Sequence, residues 1–110
     1  MKKISVLFVC LGNICRSPAA EAIFIRLLER NGLTDAFIVD SAGTGSWHIG
    51  KKADSRMRIA AERRDINILS RARQITSKDF DEFNYILAMD DSNFKNIQDL
   101  KNRTASTGFA

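Results

Sequence analysis

The 110-residue chain has one proline, one histidine, one tryptophan, one tyrosine and two cysteines. Two cysteines cannot build the disulfide framework that small secreted domains use. Two cysteines and one histidine fall short of the four ligands of a structural zinc site. No apolar run approaches the roughly 20 residues that span a bilayer. Repeats, low-complexity tracts and obvious linkers are also missing, and with 45% hydrophobic and 27% charged residues the chain is neither disordered nor collagen-like. This length fits one domain. The net charge of +4 is a mild pull toward anionic partners, too weak to imply nucleic acid.

The N-terminus superficially imitates an export signal, with Lys2 and Lys3 ahead of Ile4-Ser5-Val6-Leu7-Phe8-Val9-Cys10. The apolar run is only about seven residues, the short limit for a secretory core. A lipoprotein cleavage box is excluded because Val9, not a small residue, precedes Cys10. The expectation is a cytoplasmic chain with both thiols reduced.

What the chain does have is a strand-and-helix alternation. Ile4 to Val9 reads as a buried strand of a parallel sheet. Ser17-Pro18 opens a helix, Ser17 as cap and Pro18 as first helical residue. Its apolar positions are Ala20, Ile23, Phe24, Leu27 and Leu28, and Asn31-Gly32 ends it. Phe37 to Val39 is a second strand. Asp54 caps a helix that ends near Arg64-Asp65, Ser77 caps a short turn of helix, Tyr85 to Met89 is another strand, and Ser92 leads into a last helix. This alternation implies an α/β layered domain with a parallel sheet, whose ligands bind beyond the carboxyl ends of the strands. Cys10 and Asp90 both follow a strand, so both fall at that edge.

The stretch with chemical content is Cys10-Leu11-Gly12-Asn13-Ile14-Cys15-Arg16-Ser17. A short loop from strand to helix turns its N–H groups inward as a nest for an anion. The helix N-terminus adds free N–H groups and partial positive charge. Arg16 can fork two hydrogen bonds to phosphate oxygens. Gly12 and Asn13 tolerate the left-handed backbone of such a nest. The same field favours the thiolate of Cys10, a nucleophile at the floor of an oxyanion cradle. The competing reading is a buried cysteine that merely ends a strand.

Val9-Cys10-Leu11-Gly12-Asn13-Ile14-Cys15-Arg16-Ser17-Pro18 resembles the signature loop of the low-molecular-weight protein tyrosine phosphatases. Asp40-Ser41-Ala42-Gly43-Thr44, Trp47-His48-Ile49-Gly50, Asp54-Ser55-Arg56, Ala72-Arg73-Gln74-Ile75, Asp79-Phe80 and Met89-Asp90-Asp91-Ser92-Asn93 follow in the family's order, so the resemblance runs from Ile4 to about Leu100. It implies a three-layer α/β/α, flavodoxin-like fold on a small parallel sheet of about four strands. It implies metal-free, cofactor-free hydrolysis of phosphotyrosine proteins and small aryl phosphates, with inorganic phosphate as product and inhibitor.

By the same resemblance, Cys10 is the nucleophile that forms a cysteinyl-phosphate. Arg16 and the N–H groups of Leu11 through Cys15 bind the phosphate, and Ser17 donates to the thiolate. Asn13 holds the loop with Ser41 in its polar network, Trp47 walls the slot for the aromatic ring, and Cys15 is a backup thiol that pairs reversibly with Cys10 on oxidation.

The sequence departs from the family pattern at the general acid. Members carry an Asp-Pro-aromatic motif toward the C-terminus, and here the one proline is Pro18. The expectation is a single phosphatase domain over residues 1–110, truncated before the family's last strand and helix, rather than a genuinely short relative. Asp90 and Asp91 are weak stand-ins for the acid and read more naturally as helix caps. Ser70 stands where some members place a histidine.

His48 reads as a loop or rim residue, and Arg56, Arg58, Arg63 and Arg64 as a solvated basic face that could recruit acidic phosphopeptides. The alternatives are a thiol-dependent arsenate reductase and a non-catalytic oxyanion-binding module. The reductase needs resolving cysteines after Cys15, and the sequence has none there. The missing acid motivates the binding module.

Overall fold

The computed structural model describes residues 2–106. The order of elements is β1 (Ile4–Cys10), α1 (Arg16–Arg30), a 3-10 turn (Thr34–Ala36), β2 (Phe37–Gly43), α2 (Ser55–Glu62), α3 (Ser77–Glu82), β3 (Tyr85–Ala88) and α4 (Asp91–Ser106). The strands form one sheet in the order β2-β1-β3, and both pairings are parallel. Among the described residues the sheet therefore has three strands, against the about four expected.

Alternation along β1 assigns the two faces. Phe8 points to one side, where its ring meets Phe24 of α1 edge-on at 5.9 Å, and Phe24 meets Phe37 at 5.6 Å. Leu7 and Val9 point to the other side and are fully buried with Ala42, Ile75 and Ile97. Phe80 and Phe83 of the α3 region and Leu100 of α4 close over that cluster. Helices on both faces of a parallel sheet are the expected layered arrangement. Burying Leu7 or Val9 contributes about 1.5–3 kcal/mol each. Among the described residues no helix is long and apolar enough to cross a membrane.

Most caps follow local chemistry. The Asp54 carboxylate accepts from Met57 N–H at 3.3 Å at the start of α2. Asn31 and Gly32, the latter with φ +65°, terminate α1. Asp65 supplies the left-handed turn after α2 with φ +61°, the role glycine usually fills. Two starts differ from the sequence reading. Thr76, not Ser77, caps α3, because its hydroxyl and the Asp79 carboxylate satisfy each other's backbone in a capping box. The first helix begins at Arg16 with Cys15 as its uncapped boundary residue. Ser17 lies inside that first turn, and its hydroxyl is used elsewhere. Strand β2 also runs to Gly43, beyond the expected Val39, because it stays in register with β1 as far as Cys10.

Candidate active site

The parallel register brings the carboxyl ends of β1, β2 and β3 to one edge of the sheet, with Cys10 beside Gly43 and Val9 beside Ala88. The loop Leu11–Cys15 leaves that edge and turns into α1. Its carbonyls are tied to surrounding segments. Thr44 N–H donates to Cys10 C=O at 2.9 Å, Gly45 N–H to Leu11 C=O at 2.8 Å, and Asp54 N–H to Ile14 C=O at 2.7 Å. A trans peptide points its N–H opposite its C=O. The N–H groups of Gly12 and Cys15 thus face away from those segments and have no acceptor among the described residues. Orphan donors with the start of a helix behind them make a receptor for an anion.

Cys10 is 3% exposed at the base of the loop. Its Sγ lies 2.9 Å from Ser17 Oγ and accepts the Asn13 N–H at 3.3 Å. Asn13 is buried, with φ +56°. Its Nδ2 donates to Ser17 Oγ at 2.8 Å, and its Oδ1 accepts the Arg73 N–H at 3.0 Å. One asparagine therefore ties the thiol, the first turn of α1 and a segment sixty residues away. Gly43 makes the close approach of β2 possible, since a Cβ there would meet Leu11 O at 2.8 Å and Asn13 N at 3.1 Å.

The segment that meets Asn13 is itself anchored by charge. Arg73 donates to both carboxylate oxygens of Asp79, at 3.1 and 3.0 Å, and through Nε to Asp40 at 3.1 Å. Asp79 is buried, so this is a hydrogen-bonded ion pair with the bidentate geometry that favours arginine. The carboxylates raise the Arg73 pKa, although burial opposes them. Neither Arg73 nor Glu21 is among the site residues expected from sequence. Arg73, Asp40 and Asp79 all lie in the motifs quoted above, but nothing local says that they meet.

Ser41 is buried, and its hydroxyl donates to Glu21 of α1 at 2.5 Å rather than joining Asn13. It lies opposite Phe8, on the sheet face that α1 covers, so Glu21 is the partner in reach. Burial pushes the Glu21 carboxyl above its ordinary value of 4.5, offset by the Ser41 and Ser70 hydroxyls.

Arg16 opens α1 and is half exposed. Its Nη1 donates to Asp90 Oδ2 at 2.8 Å, and its Nη2 lies 3.5 Å from Asn93 Oδ1. Asp90 in turn accepts the Asn93 N–H at 2.7 Å and so caps α4, while Asp91 is the first residue of that helix and is exposed. The Asn93 N–H, then Arg16, hold the Asp90 carboxyl below its ordinary 3.8. Both carboxylate oxygens of Asp90 are thus engaged, one by the Asn93 N–H and one by Arg16.

Trp47 is 67% exposed, and its ring lies across Gly45. With Leu11, Thr44, Gln74 and Asn96 it lines a cavity of about 270 Å³ beside the loop. The His48 ring lies against Gly12, and its Nδ1 is buried without a partner among the described residues. Cys15 is an exposed free thiol. Arg58 is pinned to Ala53 C=O at 2.9 Å, whereas Arg56, Arg63 and Arg64 are exposed on and just after α2.

Residues 5–107 match the family model described as low molecular weight phosphotyrosine protein phosphatase. The chain is 48% identical over 101 residues to the low molecular weight phosphotyrosine protein phosphatase of Schizosaccharomyces pombe, covering 91% of this chain and 65% of that protein. A crystal structure of a protein tyrosine phosphatase from Entamoeba histolytica, with Hepes in its active site, superposes with TM-score 0.86 at 48% identity, covering 88% of this chain and 62% of that one. YfkJ from Bacillus subtilis superposes with TM-score 0.90 at 44% identity, covering 94% and 65%. The chain thus spans less than two thirds of the length of these relatives.

Proposed function

The chain belongs to the low molecular weight phosphotyrosine protein phosphatase family, and from that premise we propose that it hydrolyses phosphotyrosine and small aryl phosphates through a cysteinyl-phosphate. The observation that carries this reading is the loop itself: a buried thiol at the base of the Gly12 and Cys15 N–H groups, whose peptide carbonyls on Leu11 and Ile14 are bonded elsewhere. Phosphate oxygens bind those N–H groups and the Arg16 guanidinium. The Cys10 thiolate attacks phosphorus, the bond from phosphorus to the phenolic oxygen breaks, and the phenolate leaves. Water then attacks phosphorus, the S–P bond breaks, and inorganic phosphate and the thiolate are released. Charge on the phosphoryl oxygens meets preorganised donors throughout, which is where such sites gain most of their rate.

Ser17 Oγ, 2.9 Å from Sγ, is the donor to the thiolate, and Asn13 keeps it in place. Trp47 and Leu11 form the wall that takes the aromatic ring. Cys15 is the thiol available to pair with Cys10 on oxidation. Free thiols at both positions fit a reducing compartment, the cytoplasm. The proton for the leaving phenolate has no assigned donor in this sequence, which contains no Asp-Pro pair.

The test is release of phosphate from para-nitrophenyl phosphate and from a phosphotyrosine peptide, with Cys10→Ser as control. The expected result is Cys10-dependent turnover that favours the nitrophenyl ester, because nitrophenolate leaves without a proton and the tyrosine phenolate does not. Phosphate release that persists in Cys10→Ser would refute the nucleophile. Phosphate binding with no turnover of either ester would support the oxyanion-binding module, the reading that the missing acid motivates.

A further inference from the structure

Asp90 lies in the turn between β3 and α4, at the sheet edge that also carries Cys10. It is held from its own backbone side. Oδ1 accepts the Asn93 N–H at 2.7 Å, and its carbonyl accepts the Phe94 N–H at 3.0 Å. That leaves Oδ2 for Arg16 Nη1 at 2.8 Å. Asn93 is 2% exposed, so its side-chain oxygen, 3.5 Å from Nη2, is equally fixed. The Arg16–Asp90 pair is half exposed, with side chains 49% and 40% accessible. Pairs of that kind add little to folding stability. Their structural consequence is orientation.

A guanidinium has five N–H donors in a rigid fork. Asp90 and Asn93 hold its terminal end. The side edge, formed by Nε–H and the second Nη2–H, offers the parallel pair that matches two phosphate oxygens. Nε has no acceptor among the described residues.

Building on the phosphatase reading above, we infer that Asp90, supported by Asn93, is a positioning residue that holds Arg16 by one end and turns its free edge to the phosphate bound in the Cys10 loop. Asp90 stays bound to Arg16 while phosphate is present. The inference has a sign that bare electrostatics lacks. A carboxylate near an anion site repels the anion, so removing it would tighten binding if charge alone mattered. Loss of orientation weakens binding instead.

The experiment measures binding of inorganic phosphate by calorimetry to the 110-residue chain and to Asp90→Ser, with thermal midpoints to establish folding. Serine keeps a capping hydroxyl for α4 but cannot reach Arg16. Phosphate affinity is expected to fall roughly five- to thirtyfold. Specificity constants for para-nitrophenyl phosphate and phenyl phosphate should fall by the same factor. Asp90→Asn, which keeps the cap and an acceptor oxygen without the charge, falls between. In an Arg16→Lys background Asp90→Ser should change little, because an ammonium has no second edge to orient.

Unchanged or tighter phosphate binding in Asp90→Ser would overturn the inference alone. So would an equal loss in the lysine background, or a loss confined to turnover of phenyl phosphate, which would mark Asp90 as a proton donor. Failure of the unmodified chain to bind phosphate would overturn the phosphatase reading and this inference together.

Discussion

Replacing Asn13 with alanine probes the loop where conformation and hydrogen bonding meet. Asn13 has φ +56°, and both ends of its amide are bonded inside the protein. Alanine in that left-handed region costs roughly 1–2 kcal/mol. Loss of Oδ1 leaves the Arg73 N–H unpaired, which costs about 1–3 kcal/mol. Loss of Nδ2 removes one bond to Ser17 Oγ, which keeps Cys10 as a partner, so about 0.5–1.5 kcal/mol applies there. The sum is about 2.5–6.5 kcal/mol, against a total of ~5–15 kcal/mol for a domain. Asn13→Gly separates the two causes, since glycine accepts positive φ freely. It should lose only the hydrogen-bond share, about 1.5–4.5 kcal/mol. Urea unfolding of the three proteins reads both numbers. If Asn13→Gly unfolds within ~0.5 kcal/mol of the unmodified chain, these hydrogen bonds contribute nothing. If the alanine variant is more stable than the glycine variant, the left-handed conformation is not what constrains this position.

Two further outcomes follow from the same geometry. Gly43→Ala places a Cβ 2.8 Å from the Leu11 carbonyl oxygen, so the loop must shift, and phosphate affinity measured by calorimetry should fall roughly tenfold to a hundredfold. Glu21 has a carboxyl raised above 4.5, chiefly by burial. The folded state therefore binds that proton more tightly than the unfolded state does. The stability this contributes is present below 4.5 and is lost as pH rises through the raised value. Glu21→Gln removes the loss, so its thermal midpoint relative to the unmodified chain should rise as pH increases from below 4.5 through the raised value. A pH-independent difference would show that Glu21 is not the titrating group.

The elements were legible where local chemistry decides them. The β-branched run before Cys10, the Asp54 cap and the Asn31-Gly32 stop all act within a few residues, and each appears as expected. The start of α1 differs from the sequence reading because Ser17 has the look of a cap, while its hydroxyl is taken by Asn13 and Cys10. The start of α3 shifted by one residue because Thr76 and Asp79 close a capping box, and Ser77 offers no such pair. Trp47, which the family resemblance makes a wall of the ring slot, is among the most exposed apolar side chains.

By itself the sequence determined the loop: a thiol at a strand end, an asparagine that accepts its one left-handed position (Gly12, expected to share that role, has no positive φ), and an arginine at the helix start. These lie so close in the chain that strand-to-helix geometry alone brings them together. Tertiary structure decided what holds the loop. Asn13 meets Arg73 across 60 residues, Arg73 meets Asp40 across 33, and Arg16 meets Asp90 across 74. None of these pairs has a local signature, because each exists only where parallel strands deliver their carboxyl ends to one edge. The register of β2 and β3 on β1 sets which side chains arrive there. That is why Asp90, which the sequence reads as a helix cap and only weakly as an acid, is in the fold also the partner of Arg16.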